Sequence, residues 1–218
     1  MGCLLLGAAC AALDGGETVP TGDPDRSYDE GVRLFFAADP GAAATAFDHV
    51  IALSPAAAPG LWQRGIALYY AGRYADGRRQ FELHQQVNPN DVENAAWHFL
   101  CVARAQDVAA ARAALIPITG DARVPMREIH QLFAGSGSAE AVLNAAGAGA
   151  VAAPDRRDRL CYAHLYLGLY CEALAKPAEA KEHLLLAAGE YRMDHYMGRV
   201  AQVHVLLRGW QRPGGEHP

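Results

Sequence analysis

Nine histidines and five cysteines are the side chains of this 218-residue chain with the widest range of chemistry, and their spacing decides what they can do together. His195 and His204 lie nine positions apart, which on a 3.6-residue period places them on opposite sides of one helix. Glu179 and His183 are four apart and share a face, as any such pair does. The chain contains no His-Glu-x-x-His run, no repeated Glu-x-x-His, no Gly-x-Ser-x-Gly elbow and no phosphate-binding glycine loop. One constellation remains. His98 beside Trp97, with His164 and Glu172 on a later helix, would make a small metal-binding or catalytic site if the fold brought the three together. Helix-packing histidines are the plainer reading. Cys101, Cys161 and Cys171 stand singly with no Cys-x-x-Cys, a pattern of buried thiols rather than of a disulfide or metal framework. No catalytic residue and no cofactor is indicated, and the chain reads as a non-enzymatic protein.

The elements that must hold these side chains are marked by a repeat. Gly31 and Gly65, Phe47 and Phe81, Pro55 and Pro89 are each 34 residues apart, the period of the tetratricopeptide repeat. In the window 58–91, Gly65 gives room where two helices of a hairpin cross. Gly77 is the small residue facing it, Phe81 fills the space between neighbouring units, and Gly72-Arg73 makes the turn. Pro89 stops the second helix, with Asn90 or Asp91 available as the next N-cap. The window 24–57 repeats this with its turn at Ala38-Asp39-Pro40-Gly41. The third window is degraded: Phe99 stands where the Gly belongs, while the turn at Gln106-Asp107, the small Ala111 and the closing Pro117 are kept. A fourth, 161–194, restores Leu167-Gly168, a turn at Lys176-Pro177, Ala180 and Ala187. After Asp194, a good N-cap, Met197, Val200, Val203, Leu206 and Leu207 follow helical spacing and suit a last helix that caps the stack.

The expected fold is therefore an all-α tetratricopeptide-repeat solenoid of antiparallel helix hairpins with a C-terminal capping helix. Its organisation is an apolar leader and linker over 1–23, three hairpins over 24–117, an irregular helical connector over 118–160, a last hairpin and cap over 161–210, and a tail over 211–218. Within the connector, one short helix begins at Pro125 and ends at Gly135, another begins at Ser138, and 146–158 is the most loop-like stretch.

With 51% hydrophobic residues the chain has ample material for a core, and a net charge of −5 without a Lys/Arg cluster argues against nucleic acid as a partner. The N-terminal run, apolar and then Gly/Asp/Thr/Pro-rich, has the order of a signal peptide, though it lacks a basic start. It is too short to span a bilayer. Leu6-Gly7-Ala8-Ala9-Cys10 resembles a bacterial lipoprotein box with Cys10 as the acylated residue, although Gly7 occupies the place where such boxes favour Leu. Export, with or without a lipid anchor on the periplasmic side, is one reading; a cytoplasmic or organellar protein with an apolar tail is the other.

The resemblance to tetratricopeptide repeats implies an inner face drawn from fixed places in each first helix. Those places hold Tyr28, Val32, Phe35 and Phe36, then Trp62, Ile66, Tyr69 and Tyr70, and in the degraded repeat Glu93, Leu100 and Arg104. Such an aromatic, nearly uncharged channel suits a peptide or amphipathic helix of a protein partner. Two alternatives stay open: the channel is filled by the chain itself, from the C-terminal hairpin or from 118–150, or two copies pack these faces together as a homodimer. Arg64–Arg73 (RGIALYYAGR), NPND at 88–91 with Trp97 beyond it, and the late YLGLY and ALAKPAEAK blocks resemble NlpI-type bacterial lipoproteins. These blocks, with Met126-Arg127-Glu128 and the RGW at 208–210, are also similar to tetratricopeptide-like proteins of plants, algae and bacteria. The resemblance implies an adaptor that brings other proteins together.

Overall fold

The computed structural model describes residues 21–210, and among them every regular element is a helix. In order these are α1 (Pro24–Phe36), α2 (Pro40–Leu53), a 3-10 helix (Pro55–Gly60), α3 (Trp62–Tyr70), α4 (Tyr74–His84), α5 (Val92–Ala105), α6 (Val108–Ala113), α7 (Met126–Ala134), α8 (Ala139–Gly147), α9 (Ala153–Ala173), α10 (Pro177–Ala188) and α11 (Tyr196–Leu207). The expected leader, with Cys10, and the tail after Trp210 lie outside the described residues. No described helix is long and apolar enough to cross a membrane.

Helix boundaries follow from side-chain chemistry. Asp23, Asp39, Asp91, Asp107 and Ser138 each accept a hydrogen bond from a first-turn backbone N–H at 2.7 to 3.1 Å, satisfying donors that have no partner inside the helix. Pro24, Pro40, Pro154 and Pro177 occupy first turns, where a missing N–H costs nothing. Two expectations are corrected on these grounds. Asp194 does not cap α11; it pairs with Arg192 at 3.1 Å, and His195 is the N-cap, its Nδ1 accepting from the Met197 N–H at 3.3 Å. The loop expected over 146–158 shrinks to 148–152, because Pro154 starts a helix there instead of breaking one and Asp155 favours its N-terminal dipole. As a result α9 runs for 21 residues.

The hairpins close through one device used three times. A Cβ on Gly31 would lie 2.7 Å from the Phe47 ring, one on Gly65 2.6 Å from the Phe81 ring, and one on Gly168 2.5 Å from Leu184. The bare backbone of α1, α3 or α9 is thus the seat for a large side chain of its own partner helix, α2, α4 or α10. Phe81 therefore packs into its own hairpin rather than only between units. The turns match as well: Ala38, Gly72 and Ala175 all have positive φ, at 60°, 76° and 56°.

The third hairpin departs from this. Phe99 of α5 meets Phe133 of α7 edge to face at 5.0 Å, so α5 packs against α7 as well as against a short α6 of six residues. α7 and α8 form a further hairpin between α5 and α9, and the pairwise succession runs unbroken through the expected connector. Neighbouring first helices touch in the order α1, α3, α5, α9, and α11 packs on α9 and α10 and reaches back to α1.

Candidate functional site

α3 presents Trp62, Ile66, Tyr69 and Tyr70 along one stripe, as their spacing of four, three and one dictates. α1 adds Tyr28, Phe35 and Phe36, and α11 lies against both. Tyr196 stacks parallel to Phe35 at 5.9 Å and meets Phe36 and Trp62 at 4.8 Å each. The Arg199 guanidinium sits 3.4 Å over the Phe36 ring. At the other end of the helix the Tyr70 hydroxyl and His204 Nδ1 share a 2.9 Å hydrogen bond. His204 is fully buried, and burial, reinforced by Arg208 and Arg104, pushes its pKa down to about 3.

This fixes where the expected binding residues stand. Phe35, Ile66 and Tyr69 are buried, and Tyr70 is covered by α11. Tyr28 is half-buried, its hydroxyl accepting from Gln63 Nε2 at 2.6 Å. Phe36 and Trp62 are half-buried against Tyr196. Arg104 is exposed, donating to the Tyr74 hydroxyl at 3.1 Å and lying over that ring. Part of the expected contact face is therefore covered by the chain itself, through α11 rather than through the C-terminal hairpin or 118–150.

Openings remain beside this helix: about 190 Å³ at Tyr69, Tyr70 and Arg104, about 440 Å³ at Val32, Phe36 and Arg199, and, at the Trp62 end, a cavity of about 260 Å³ lined by Trp62, Asp91, Glu93, Asn94, Trp97, Arg123, Tyr162, His195 and Tyr196 among others. Its polar wall is built on the first turn of α5. Asp91 caps the helix and Glu93 follows in that turn, where the N-terminal dipole favours carboxylates. Arg123, from the loop between α6 and α7, binds Asp91 at 2.6 Å, Glu93 at 2.5 Å and Asp121 at 2.6 Å. The Tyr166 hydroxyl donates to the other Glu93 oxygen at 2.7 Å. Burial nevertheless pushes the Glu93 carboxyl up to about 7; Arg123 opposes the shift and Asp91 adds to it. Three carboxylates share one guanidinium.

On the opposite wall Trp62 and Tyr196 stand nearly perpendicular. His195, whose Nδ1 is an acceptor at the cap, carries its proton on Nε2 and donates to the Tyr162 hydroxyl at 2.9 Å. Trp97 and Asn94 are 1% and 3% exposed, and among the described residues their Nε1 and Oδ1 have no hydrogen-bond partner. Asn94 spends its Nδ2 on the Phe81 carbonyl and Gln85 Oε1.

The histidine constellation does not assemble. His98 Nε2 faces Glu82 at 3.3 Å, His164 shares a 2.9 Å hydrogen bond with His183 under a stacked Tyr191, and Glu172 binds Arg208. Among the described residues no group of three or more His, Cys, Asp or Glu is placed to hold a metal ion. Cys101, Cys161 and Cys171 are free and buried, and burial pushes the Cys161 thiol up to about 12, far from a reactive thiolate. Of the cavity residues, Glu93 and Trp62 were legible from the repeat register. Arg123 stands where the period fails and Tyr196 in the cap, and no local signal marked either as part of a site.

The class that this fold defines is an all-helical protein of successive paired helices whose last helix packs on α9 and α10 and against α1. No model of a known protein family matches the chain.

Proposed function

We propose that this protein is a non-enzymatic adaptor whose helix hairpins form a tetratricopeptide-type solenoid and whose inner face holds polypeptide, with the Trp62 cavity as the place where a partner segment engages. The repeat reading is supported by glycine–phenylalanine seats and left-handed turns recurring 34 residues apart, Gly31 with Gly65 and Ala38 with Gly72. The observation that carries the binding reading is α11 itself. A helix of this chain lies on the face through Tyr196 and Arg199, by the aromatic and cation–π contacts with which grooves of this kind hold helices. The space left at the Trp62 end, about 260 Å³, is below the ~300 to 1,000 Å³ of drug-sized sites and accommodates one or two side chains of a peptide.

Panning the full chain against a random-peptide display library, with Trp62→Ala as counter-bait and circular dichroism to verify that the variant stays helical, tests the reading. Selected peptides are expected to bind saturably and to lose about thirtyfold on Trp62→Ala, the ~2 kcal/mol of a tryptophan hot spot. Failure to enrich any peptide, or equal binding to both baits, contradicts it.

A further inference from the structure

We infer that the cavity at the C-terminal end of α11 is an oxyanion pocket, built to take one carboxylate group between Arg104 and Arg208. The inference goes beyond the Trp62 reading, because it concerns the other end of α11 and stands or falls without that cavity.

The pocket, about 190 Å³, is lined by Tyr69, Tyr70, Tyr74, Arg104, Leu207 and Arg208. Tyr69 and Tyr70 end α3, Tyr74 opens α4, Arg104 stands in the last turn of α5, and Leu207 and Arg208 close α11. Helix C-terminal dipoles favour a cation where each arginine stands, which anchors both guanidiniums there without spending their N–H groups. Arg104 makes no ion pair among the described residues; its one hydrogen bond goes to the Tyr74 hydroxyl at 3.1 Å. Arg208 pairs with Glu172, which does not line the cavity.

Tyr69 decides the sign of the ligand. The residue is only 4% exposed, and its hydroxyl has no hydrogen-bond partner among the described residues, yet its side chain is a wall of the cavity. Burial pushes the phenol pKa up, Glu172 adds to the shift and Arg104 opposes it, so the group keeps its proton and is a donor. Tyr74 accepts from Arg104 and therefore retains its own O–H. The uncommitted groups around this space are thus O–H and N–H donors on four side chains, with no carboxylate in the lining. An oxyanion accepts from all of them, and its charge-assisted hydrogen bonds are the strong kind. An ammonium would meet two guanidiniums instead.

The charge selects a carboxylate. Two guanidiniums against Glu172 leave one positive charge at this end of α11, and His204, hydrogen-bonded to Tyr70, registers it: burial lowers its pKa first, and Arg208 and Arg104 lower it further, to about 3. One carboxylate balances that charge, whereas a phosphate dianion would exceed it and face Glu172 as well. A planar carboxylate also matches the fork of Arg104, of which a single terminal nitrogen is engaged. Leu207, 38% exposed, gives the carbon stem of such a ligand an apolar side.

The test is nuclear magnetic resonance titration of the full chain labelled with ¹⁵N, at constant ionic strength, followed at the Nε–H signals of Arg104 and Arg208, which are assigned by single Arg→Lys substitutions. The probes are sodium acetate, N-acetyl-glutamate methylamide, N-acetyl-glutamine methylamide and inorganic phosphate. Acetate and the glutamate probe are expected to shift both signals saturably and at least about tenfold more tightly than the neutral glutamine probe. A glutamate probe tighter than acetate supports a carboxylate carried on a polypeptide side chain, and equal binding supports one on a free acid. Arg104→Gln, at an exposed position, is expected to weaken both about tenfold, read at Arg208. Tyr69→Phe is expected to weaken them about threefold and to leave the urea midpoint unchanged, because the hydroxyl it removes bonds nothing in the fold. Destabilisation by Tyr69→Phe with binding intact makes that hydroxyl structural and overturns its part in the pocket. A glutamine probe as tight as the glutamate probe overturns the anion assignment, and phosphate tighter than both carboxylates overturns the choice of carboxylate. No saturable shift with any probe overturns the pocket altogether.

Discussion

The hairpins α1–α2 and α3–α4 and the segment from Asp91 to Gly147 solve the same packing problem in opposite ways. In the first region a glycine on one helix receives an aromatic ring from its partner, Phe47 on Gly31 and Phe81 on Gly65, and the interior is apolar and repetitive. In the second, Phe99 fills the place of the glycine, pushes its packing outward onto Phe133 and Tyr170, and draws an additional hairpin, α7–α8, into the succession. The loop that this extra hairpin requires brings Arg123 to the first turn of α5. Regular repeats build the wall, and the interruption of the repeat supplies its charged chemistry. Two loop side chains thus meet at that wall, Arg123 from before α7 and His195 from before α11.

That contrast can be broken most forcefully at Phe99. Phe99→Ala empties a fully buried ring site between α5 and α7 and is expected to cost about 3 to 5 kcal/mol in urea unfolding. Gly65→Ala tests the other region from the opposite side: its Cβ meets the buried Phe81 ring at 2.6 Å, and a loss of about 1 to 3 kcal/mol is expected from overpacking. If Phe99→Ala were mild and Gly65→Ala harmless, the two regions would not differ in the way described.

Arg123→Met removes the only guanidinium among three carboxylates. The expected loss is about 1 to 2 kcal/mol near neutral pH, smaller than for a fully buried pair because the Arg123 side chain is 46% exposed. Carbon-detected titration of Glu93 should show its carboxyl rising further in that variant.

A pH titration of stability separates Glu93 of the second region from the buried histidines of α9 and α11. His204 and His164 have folded values near 3 and 4 against 6.5 in water, so the stability they contribute is complete above pH 6.5 and is lost as pH falls through that window. Glu93 has the opposite sign. Its folded value near 7 against 4.5 means that it destabilises above pH 7 and that this penalty disappears as pH falls to 4.5. Between pH 6.5 and 4.5 the histidines shed stability while Glu93 returns some. Stability is expected to fall gently there and steeply below, and in Glu93→Gln the slope between pH 5 and 6.5 is expected to be about twice as steep. An unchanged slope would mean that Glu93 titrates in the ordinary carboxylate range.

The smallest effect concerns the turns. Ala38 and Ala175 adopt the left-handed conformation that Gly72 holds without strain. Ala175→Gly is expected to change stability by no more than about +1 kcal/mol, the relief of that strain less the entropy of the freer unfolded chain. Thermal melts of the two proteins check it.

How far this architecture was legible follows the same division. Residues 24–91 announce themselves because glycine, phenylalanine, turn and proline recur at one interval, and each position has a single packing reason. The helices α7 and α8 were also legible, from Pro125, Gly135 and Ser138, since caps are local signals. Pro154 misled because proline is at home both in loops and in the first turn of a helix, and only the packing of α9 decides between the two. The aromatic stripe of α3 was visible, but its cover was not. Nothing local in Tyr196 or His204 reveals which distant surface they will meet, and that pairing spans 134 residues between Tyr70 and His204. Arg123 was unreadable for the same reason.

The most direct measurement is site-specific photo-cross-linking with a benzophenone amino acid placed at Trp62 and, separately, at Phe35 in the intact chain. Adducts to other polypeptides are expected from position 62, while position 35 should cross-link only within the chain, to the peptide containing Tyr196. Intermolecular adducts from position 35 at the level of position 62, or from neither position, would contradict a face that α11 covers at Phe35 and leaves open at the Trp62 cavity.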